Sequence, residues 1–232
     1  MLARWVMNKE IARYLQKIGV DSRFVSILDD RIVVNNLRYS RFSRAREEIF
    51  YHKFPEIVVT RSKVFQRIAT RASRNLKAAL KPKDKVALIR DKDCASLTLY
   101  AVLEPYTRKY GIKIIKARSW EELDHLNVDK VALAFDLDYE VQALLEKMLN
   151  GDKISLESGR TSSDDYQLIY PLVNIPRDWI HSWTNSEDIT CTEDEWEGMA
   201  AEMVQFLSSF IPDVREKMYK SALFLKENEL KS

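Results

Sequence analysis

From Lys85 onward the chain alternates short apolar runs with longer amphipathic ones, and this alternation restricts its fold more than any other feature. VALI (86–89) is short and apolar enough for a strand buried on both faces. Cys94 to Tyr110 carries Leu97, Leu99, Val102 and Leu103 as apolar cover on a helix that stops at Gly111. IKIIKA (112–117) is the next strand and VDKVALAF (128–135) another. A helix from Asp138 to Asn150 follows and ends at Gly151, and YQLIYPL (166–172) is a last strand. Strands joined by crossover helices settle into an open sheet, so the expected fold is α/β, doubly wound and mostly parallel.

The chain before Lys85 keeps a different rhythm. Residues 3–18 read as an amphipathic helix, and FVSIL and RIVVNNL as two short strands around the turn-like Asp29-Asp30. A basic helix is expected over 41–52. After Pro55 a longer helix runs from about Thr60 to Leu80, with Val64, Ile68, Ala72 and Leu76 recurring every fourth residue. The tail from Thr192 to Lys226 reads as two helices separated by Pro212. Its stripe of Trp196, Met199, Met203, Phe206, Leu207 and Phe210 is expected to be core, with an oligomer interface as the alternative. The expected division is therefore a basic N-terminal extension (1–54), an α/β domain (55–190) and a C-terminal helical region (191–232).

A chain of 232 residues is long enough for one α/β domain with a small addition. At 46% hydrophobic and 31% charged, it belongs with globular rather than disordered proteins. No apolar run approaches the roughly 20 residues that cross a bilayer, and the N-terminus lacks a signal-peptide centre. Cytoplasm and no membrane partner are the expectation. Cys94 and Cys191 stand far apart, and His52, His125 and His181 are scattered, so neither a disulfide framework nor a zinc site is expected.

Charge is distributed unevenly. Between Arg31 and Lys77 twelve basic residues face three acidic ones, a net +9, which leaves −7 on the remainder of a chain whose total is +2. Arginine dominates, and its planar fork suits phosphate oxygens. Arg38, Arg41, Arg44, Arg46, Arg61, Lys63, Arg67, Arg71 and Arg74 are accordingly candidate contacts to an RNA backbone. The alternative is a solvated helical surface. Tyr39, Phe42, Phe50 and Tyr51 lie among them and either stack on unpaired bases or pack in the core, core being favoured for any single one. A second group is acidic: Asp91, Asp93, Asp136 and Asp138 fall just beyond two strand ends, where open α/β sheets place ligands. Four converging carboxylates would suit Mg²⁺. Helix capping, by Asp93 and Asp138, is the favoured reading.

Four stretches taken in order resemble the PP-loop (HUP-like) ATP-pyrophosphatase family, and within it the tRNA 2-thiolation enzymes. KVALIRDKDCASLTL has the frame of the family's strand, Ser-Gly-Gly-Lys-Asp-Ser loop and helix, with Ile89, Arg90, Asp91, Lys92, Asp93 and Cys94 on those six positions. VALAFDLDYEVQALLEKMLNGD resembles the strand and Gly-His-Asn-x-Asp-Asp segment. IYPLVNIPRDWI resembles the Arg-Pro-Leu segment, and CTEDEWEGMAAEMVQFLSSFIPDVREKM the Cys-Pro-Tyr helix pair. The resemblance covers about residues 60–226 and implies an α/β fold with an ATP site at the first loop.

The departures from the pattern are chemical. The paired glycines that admit ATP phosphates to backbone N–H groups are replaced by Arg90 and Asp91. The Gly-His pair is Ala134-Phe135, and Tyr139 stands at the second acidic position while Asp138 remains. The interval 118–127, where thiolating members carry a catalytic cysteine, has none. Cys191 matches the family's second cysteine, and no N-terminal Cys-x-x-Cys ribbon is present. The resemblance therefore implies a degenerate member with no catalytic residues and no cofactor, similar to the non-catalytic subunit of the cytosolic tRNA thiouridylase. Its implied partners are tRNA and an active PP-loop paralogue, or a second copy of itself. The alternatives are a residual enzyme using ATP and Mg²⁺, and a protein-interaction module without RNA contact.

Overall fold

The computed structural model describes residues 2–89, 92–123, 125–160, 166–193 and 197–229. Helix α1 (Leu2–Lys17) buries Ile11 and Leu15 against a three-stranded sheet. A 3₁₀ turn at Ser22–Phe24 leads into β1 (Val25–Ile27), which pairs antiparallel with β2 (Arg31–Val34) across the Asp29-Asp30 turn. Helices α2 (Leu37–Ser40) and α3 (Arg44–Lys53) then carry the chain to β3 (Val58–Thr60), which lies parallel to β2. A parallel neighbour needs a crossover, and these two helices supply it. Strand β3 lies where the sequence reads only Pro55 and the approach to a helix. Three residues are too few to show alternation.

Helix α4 (Lys63–Ala79) starts at Ser62, whose side chain accepts the Phe65 N–H. Its buried row is Phe65, Ile68, Ala72 and Leu76, so the expected four-residue stripe holds except at its first position. Next come β4 (Lys85–Ile89), α5 (Cys94–Leu103) and α6 (Tyr106–Lys109). The expected single helix from 94 to 110 is split at Pro105, which has no N–H to continue the ladder. After these follow β5 (Lys113–Ala117), α7 (Trp120–Leu123), β6 (Lys130–Ala132) and α8 (Leu137–Asn150). The last elements are β7 (Gln167–Ile169), α9 (Arg177–Ser186), α10 (Met199–Phe210) and α11 (Val214–Glu229).

The second sheet has the order β5-β4-β6-β7 with every pair parallel, which is the expected doubly wound arrangement. Alternation along β4 sends Val86 and Leu88 into the core beneath α4, α5 and α9, and Ala87 into the core of the opposite face with Val131 and Leu123. The chain leaves β4 toward β5 on one side and returns to β6 on the other. The carboxyl end of β4 is therefore the topological switch point, where such sheets open a ligand crevice.

In the tail, α10 turns Ala200, Ala201 and Val204 inward against α8, while Met199 (67% exposed), Phe206 (64%) and Phe210 (70%) face out. The expected core stripe is thus largely outside; Met203 alone of its described members packs partly against the core, and Trp196 lies outside the described residues. Small residues allow α10 to approach α8 closely, and this choice sets which face is buried. Among the described residues no helix is long and apolar enough to cross a membrane.

One buried ion pair joins the two sheets. Glu104, following α5, accepts the Ile27 N–H at 2.9 Å and pairs with Arg108 of α6. Arg108 donates to the Ser22 and Val25 carbonyls, each at 2.8 Å, and Ser26 Oγ donates to the Ala101 carbonyl at 2.5 Å. The edge of β1 is thereby satisfied by α5 and α6 rather than by another strand. Removing one partner of a buried pair strands the other charge at a cost of about 3–5 kcal/mol. Glu104→Ala is expected to lower unfolding stability by about that amount, read as a drop in the urea midpoint. A change below about 1 kcal/mol contradicts the role given to this pair.

Candidate functional site

The site expected from the sequence lies at the switch point, between the end of β4, the start of α5 and the start of α8. Of its loop, Arg90 and Asp91 lie outside the described residues. Ile89 ends β4 and Asp93 caps α5, its side chain accepting the Ser96 N–H at 2.6 Å. A short piece of chain is laid against this turn. Asp93 and Thr192 form a parallel bridge in which the Thr192 carbonyl accepts the Cys94 N–H at 3.1 Å and the Lys92 carbonyl accepts the Thr192 N–H at 3.0 Å. Two N–H groups at the start of α5, those that a helix offers to an anion, are engaged by the protein itself.

The same junction pairs the cysteines. Cys94 and Cys191 form a disulfide with their Cα atoms 5.0 Å apart. This corrects the expectation that two cysteines so distant in sequence stay apart. The bridge between Asp93 and Thr192 delivers Cys191 to the first residue of α5, a placement that spacing alone does not reveal. Cys94 is 3% exposed, beneath the sheet's main core.

The acidic cluster resolves into caps and ion pairs. Asp136, fully buried, caps α8 by accepting the Tyr139 N–H at 2.7 Å; the cap was expected at Asp138. The helix begins one residue earlier than the pattern suggested, at Leu137, and Asp138 falls inside its first turn. Arg177, the first residue of α9, holds both carboxylates. Its guanidinium reaches Asp136 at 2.7 and 3.2 Å, and its backbone N–H reaches Asp138 Oδ2 at 2.7 Å. Arg215 Nε of α11 stands 2.5 Å from Asp138 Oδ1 as an ion pair, off the line of a hydrogen bond. Asp93 is thus a cap and Asp136 and Asp138 are held by arginines, while Asp91, the fourth of the expected set, lies outside the described residues. Among the described residues no group of three His, Cys, Asp or Glu is placed to hold a metal ion. Phe135 stacks on Tyr139 at 4.1 Å and leans on Tyr170 at 5.7 Å, filling the position of the family's histidine with an aromatic cluster.

Sequence reading missed Arg177 and Arg215. The signal for the first was present, since Pro176-Arg177 is a proline followed by a lone cation in an otherwise apolar stretch, IYPLVNIPRDWI. Nothing local marks Arg215. Beside the site a cleft of about 400 Å³ runs from the β1–β2 turn to Ile89, Ser96 and Lys116. Asp29, Asp30 and Asp188 line it against Arg31 and Lys116, a balance that disfavours a polyanion.

The basic segment divides into engaged and exposed groups. Arg61 pairs with Glu47 at 2.7 Å under the ring of Phe42, and Arg44 reaches the same carboxylate at 3.0 Å. Arg71 donates to the Asn174 carbonyl at 3.0 Å and lies 4.3 Å from the Trp179 ring. Arg46 donates to the Arg41 carbonyl. Lys63, Arg67 and Arg74 are exposed along α4, while Arg38 and Arg41 are exposed at α2. Phe42 and Phe50 are core, and Tyr51 accepts the Val59 N–H with its hydroxyl, so of the four aromatics only Tyr39 is open, at 55% exposure.

With this geometry known, relatives are informative. No family model matches the chain. A probable sulfurtransferase from Methanocaldococcus jannaschii is 32% identical over an alignment of 155 residues, covering 57% of this chain and 46% of that protein. The chain thus spans about half the length of that curated relative. Among solved structures, the U34-tRNA thiolase NcsA from Methanococcus maripaludis, determined with its 4Fe-4S cluster, superposes with a TM-score of 0.54 at 16% identity. That match covers 71% of this chain and 79% of the thiolase. The chain is related in sequence to a probable sulfurtransferase and shares the fold of a tRNA thiolase. The expected PP-loop-like sheet is therefore present.

Two measurements test the site. Burial pushes the Asp138 carboxyl up to about 6, with Asp136 and Asp178 adding to the rise and the Arg177 N–H and Arg215 opposing it. A carboxyl whose folded pKa exceeds its unfolded value binds protons more tightly when folded. Its contribution is therefore full below about pH 4 and is lost as pH rises through 6, a difference of about 2–3 kcal/mol. Asp138→Asn removes that loss, so its stability relative to the unmodified chain is expected to be higher at pH 7 than at pH 4; an unchanged difference contradicts the assignment. For the disulfide, the sequence separation of 97 makes the closed loop long. Reduction is expected to lower stability by about 4–5 kcal/mol, and Cys191→Ser is expected to melt at the same lowered temperature whether or not reductant is present.

Proposed function

We propose that the chain is a non-catalytic member of the PP-loop thiolation proteins that binds tRNA and works beside a catalytic partner. One observation carries the reading. The N–H groups of Cys94 and Ser96, where the resembling enzymes hold ATP phosphates, are bonded to Thr192 and Asp93 of the same chain. The pairing of Cys94 with Cys191 removes both thiols that sulfur transfer would need in reduced form. The arginines on Asp136 and Asp138 neutralise the carboxylates a metal–nucleotide complex would use. Exposed Lys63, Arg67 and Arg74 along α4 support phosphate-backbone contact. The outward Met199, Phe206 and Phe210 of α10 support association with a second protein.

Calorimetric titration with ATP and Mg²⁺, separately and together, is expected to give no binding tighter than about 1 mM; micromolar ATP binding overturns the non-catalytic reading. Retention of tRNA on filters is expected to weaken steeply between about 50 and 200 mM salt. The Lys63→Ala, Arg67→Ala, Arg74→Ala triple variant is expected to reduce the salt slope by about three. A flat salt response removes the RNA half of the proposal.

A further inference from the structure

A second cleft, of about 810 Å³, opens in the N-terminal unit, where Gln16, Asp21, Arg23, Arg38, Tyr39 and Arg41 line it. Neither the switch point nor α4 contributes to it. Tyr39 rests on Phe24 at 5.3 Å with the rings inclined at 33°, and more than half of its surface stays exposed. Arg38 stands 5.9 Å from the centre of the Tyr39 ring. Asp21, the one carboxylate among the described lining residues, is already held by both arms of Arg23 at 3.0 and 2.8 Å, which pulls its pKa below the usual range. With Arg23 offsetting Asp21, the guanidinium groups of Arg38 and Arg41 leave the cleft cationic.

The wall that presents Arg41 is built rather than incidental. Arg41 adopts φ +56°, a left-handed conformation uncommon for a residue with a side chain. Its carbonyl accepts the Ser43 N–H at 3.0 Å and a guanidinium N–H of Arg46. The Arg46 guanidinium in turn packs on Gly19, where an added Cβ would stand 3.1 Å from it, at a backbone φ of +81°. Gly19 and Arg46 thus hold the turn that places Arg41 at the cleft. Behind Phe24, Lys109 lies 5.0 Å from the ring, and burial with the nearby Lys77 and Arg108 cations pushes its pKa down to about 8. Lys109 adds a further cation beside the aromatic pair.

We propose that this cleft binds a nucleoside phosphate, with the base stacked on Tyr39 and the phosphate held by Arg38 and Arg41. An exposed ring gives any base a face to stack on, guanidinium forks match phosphate oxygens, and the volume suits a single nucleotide. The same chemistry is offered by a free mononucleotide and by an unpaired nucleotide of RNA. Only the RNA source rests on the nucleic-acid reading given above.

Fluorescence anisotropy of the full chain with a labelled single-stranded RNA hexamer, competed by AMP, UMP or inorganic phosphate, tests it. Tyr39→Ala and Arg41→Ala are each expected to weaken hexamer binding about tenfold, with Tyr39→Phe restoring it to within about twofold. Competition by the mononucleotides but not by phosphate at equal concentration supports the proposal with a free nucleotide as the source. Tyr39-dependent hexamer binding that mononucleotides do not displace supports it with RNA as the source. Binding indifferent to both Tyr39→Ala and Arg41→Ala, or competed equally by phosphate alone, overturns it. The two readings fail separately. Retention of tRNA that falls in the Lys63, Arg67, Arg74 triple variant but ignores Tyr39→Ala overturns the cleft and leaves the proposed function standing. Tyr39-dependent hexamer binding without tRNA retention does the reverse.

Discussion

At the first turn of α5 the Thr192 carbonyl accepts the Cys94 N–H, and one residue away Cys191 closes a disulfide onto Cys94. The segment after α9 is thereby fastened across the carboxyl end of β4, which pairs with β5 on one side and β6 on the other where the sheet's winding reverses. An open α/β sheet leaves its switch point unfilled because the two crossovers depart in opposite directions. Here the gap is filled by the chain's own backbone.

Around it, charge is used for internal closure. Arg177 reaches from the start of α9 to the two aspartates at the start of α8, and Arg215 ties α11 to the second of them. Three helices are thus held at one end of the sheet by two cations and two carboxylates. Such pairs are favourable only where geometry is good and the remaining lone pairs are satisfied. Asp136 meets that condition with three donors, from Tyr139 and Arg177. Asp138 meets it less completely, and its raised pKa reports the unrelieved part of its burial.

The N-terminal unit shows the same economy in reverse. It has a core of its own, from Ile11 to Val59, and meets the α/β unit through Glu104 and Arg108 and through Leu28 and Val33, which pack in the main core. The long basic segment that crosses it is not a single surface. Arg44 and Arg61 share Glu47, Arg71 is held by α9 and a loop carbonyl, and Arg46 shapes a turn. Apart from Arg44 and Lys53 on α3, each paired with a glutamate, what remains exposed falls into two separate groups, one along α4 and one around Tyr39. A charge count over 31–77 registers their sum but cannot separate them.

Much of the fold was legible in local pattern. The apolar runs of β4 and β5, the four-residue period of α4 and the glycine after α8 each mark an element by physics acting within a few residues. Strand β3 and the break at Pro105 were less legible, the one for its brevity and the other because leucines continue on both sides. The aspartate caps were legible as a class, since a carboxylate before a helix accepts its first free N–H groups, though the register at α8 was off by two. By itself the sequence determined an α/β sheet with an altered first loop, because period and residue type act locally. Which groups meet at that loop was decided only in three dimensions: Cys94 with Cys191, Asp136 with Arg177 and Asp138 with Arg215 are separated along the chain by 97, 41 and 77 residues. Pairing over such distances depends on how the helices pack around the sheet, and no local pattern carries that information.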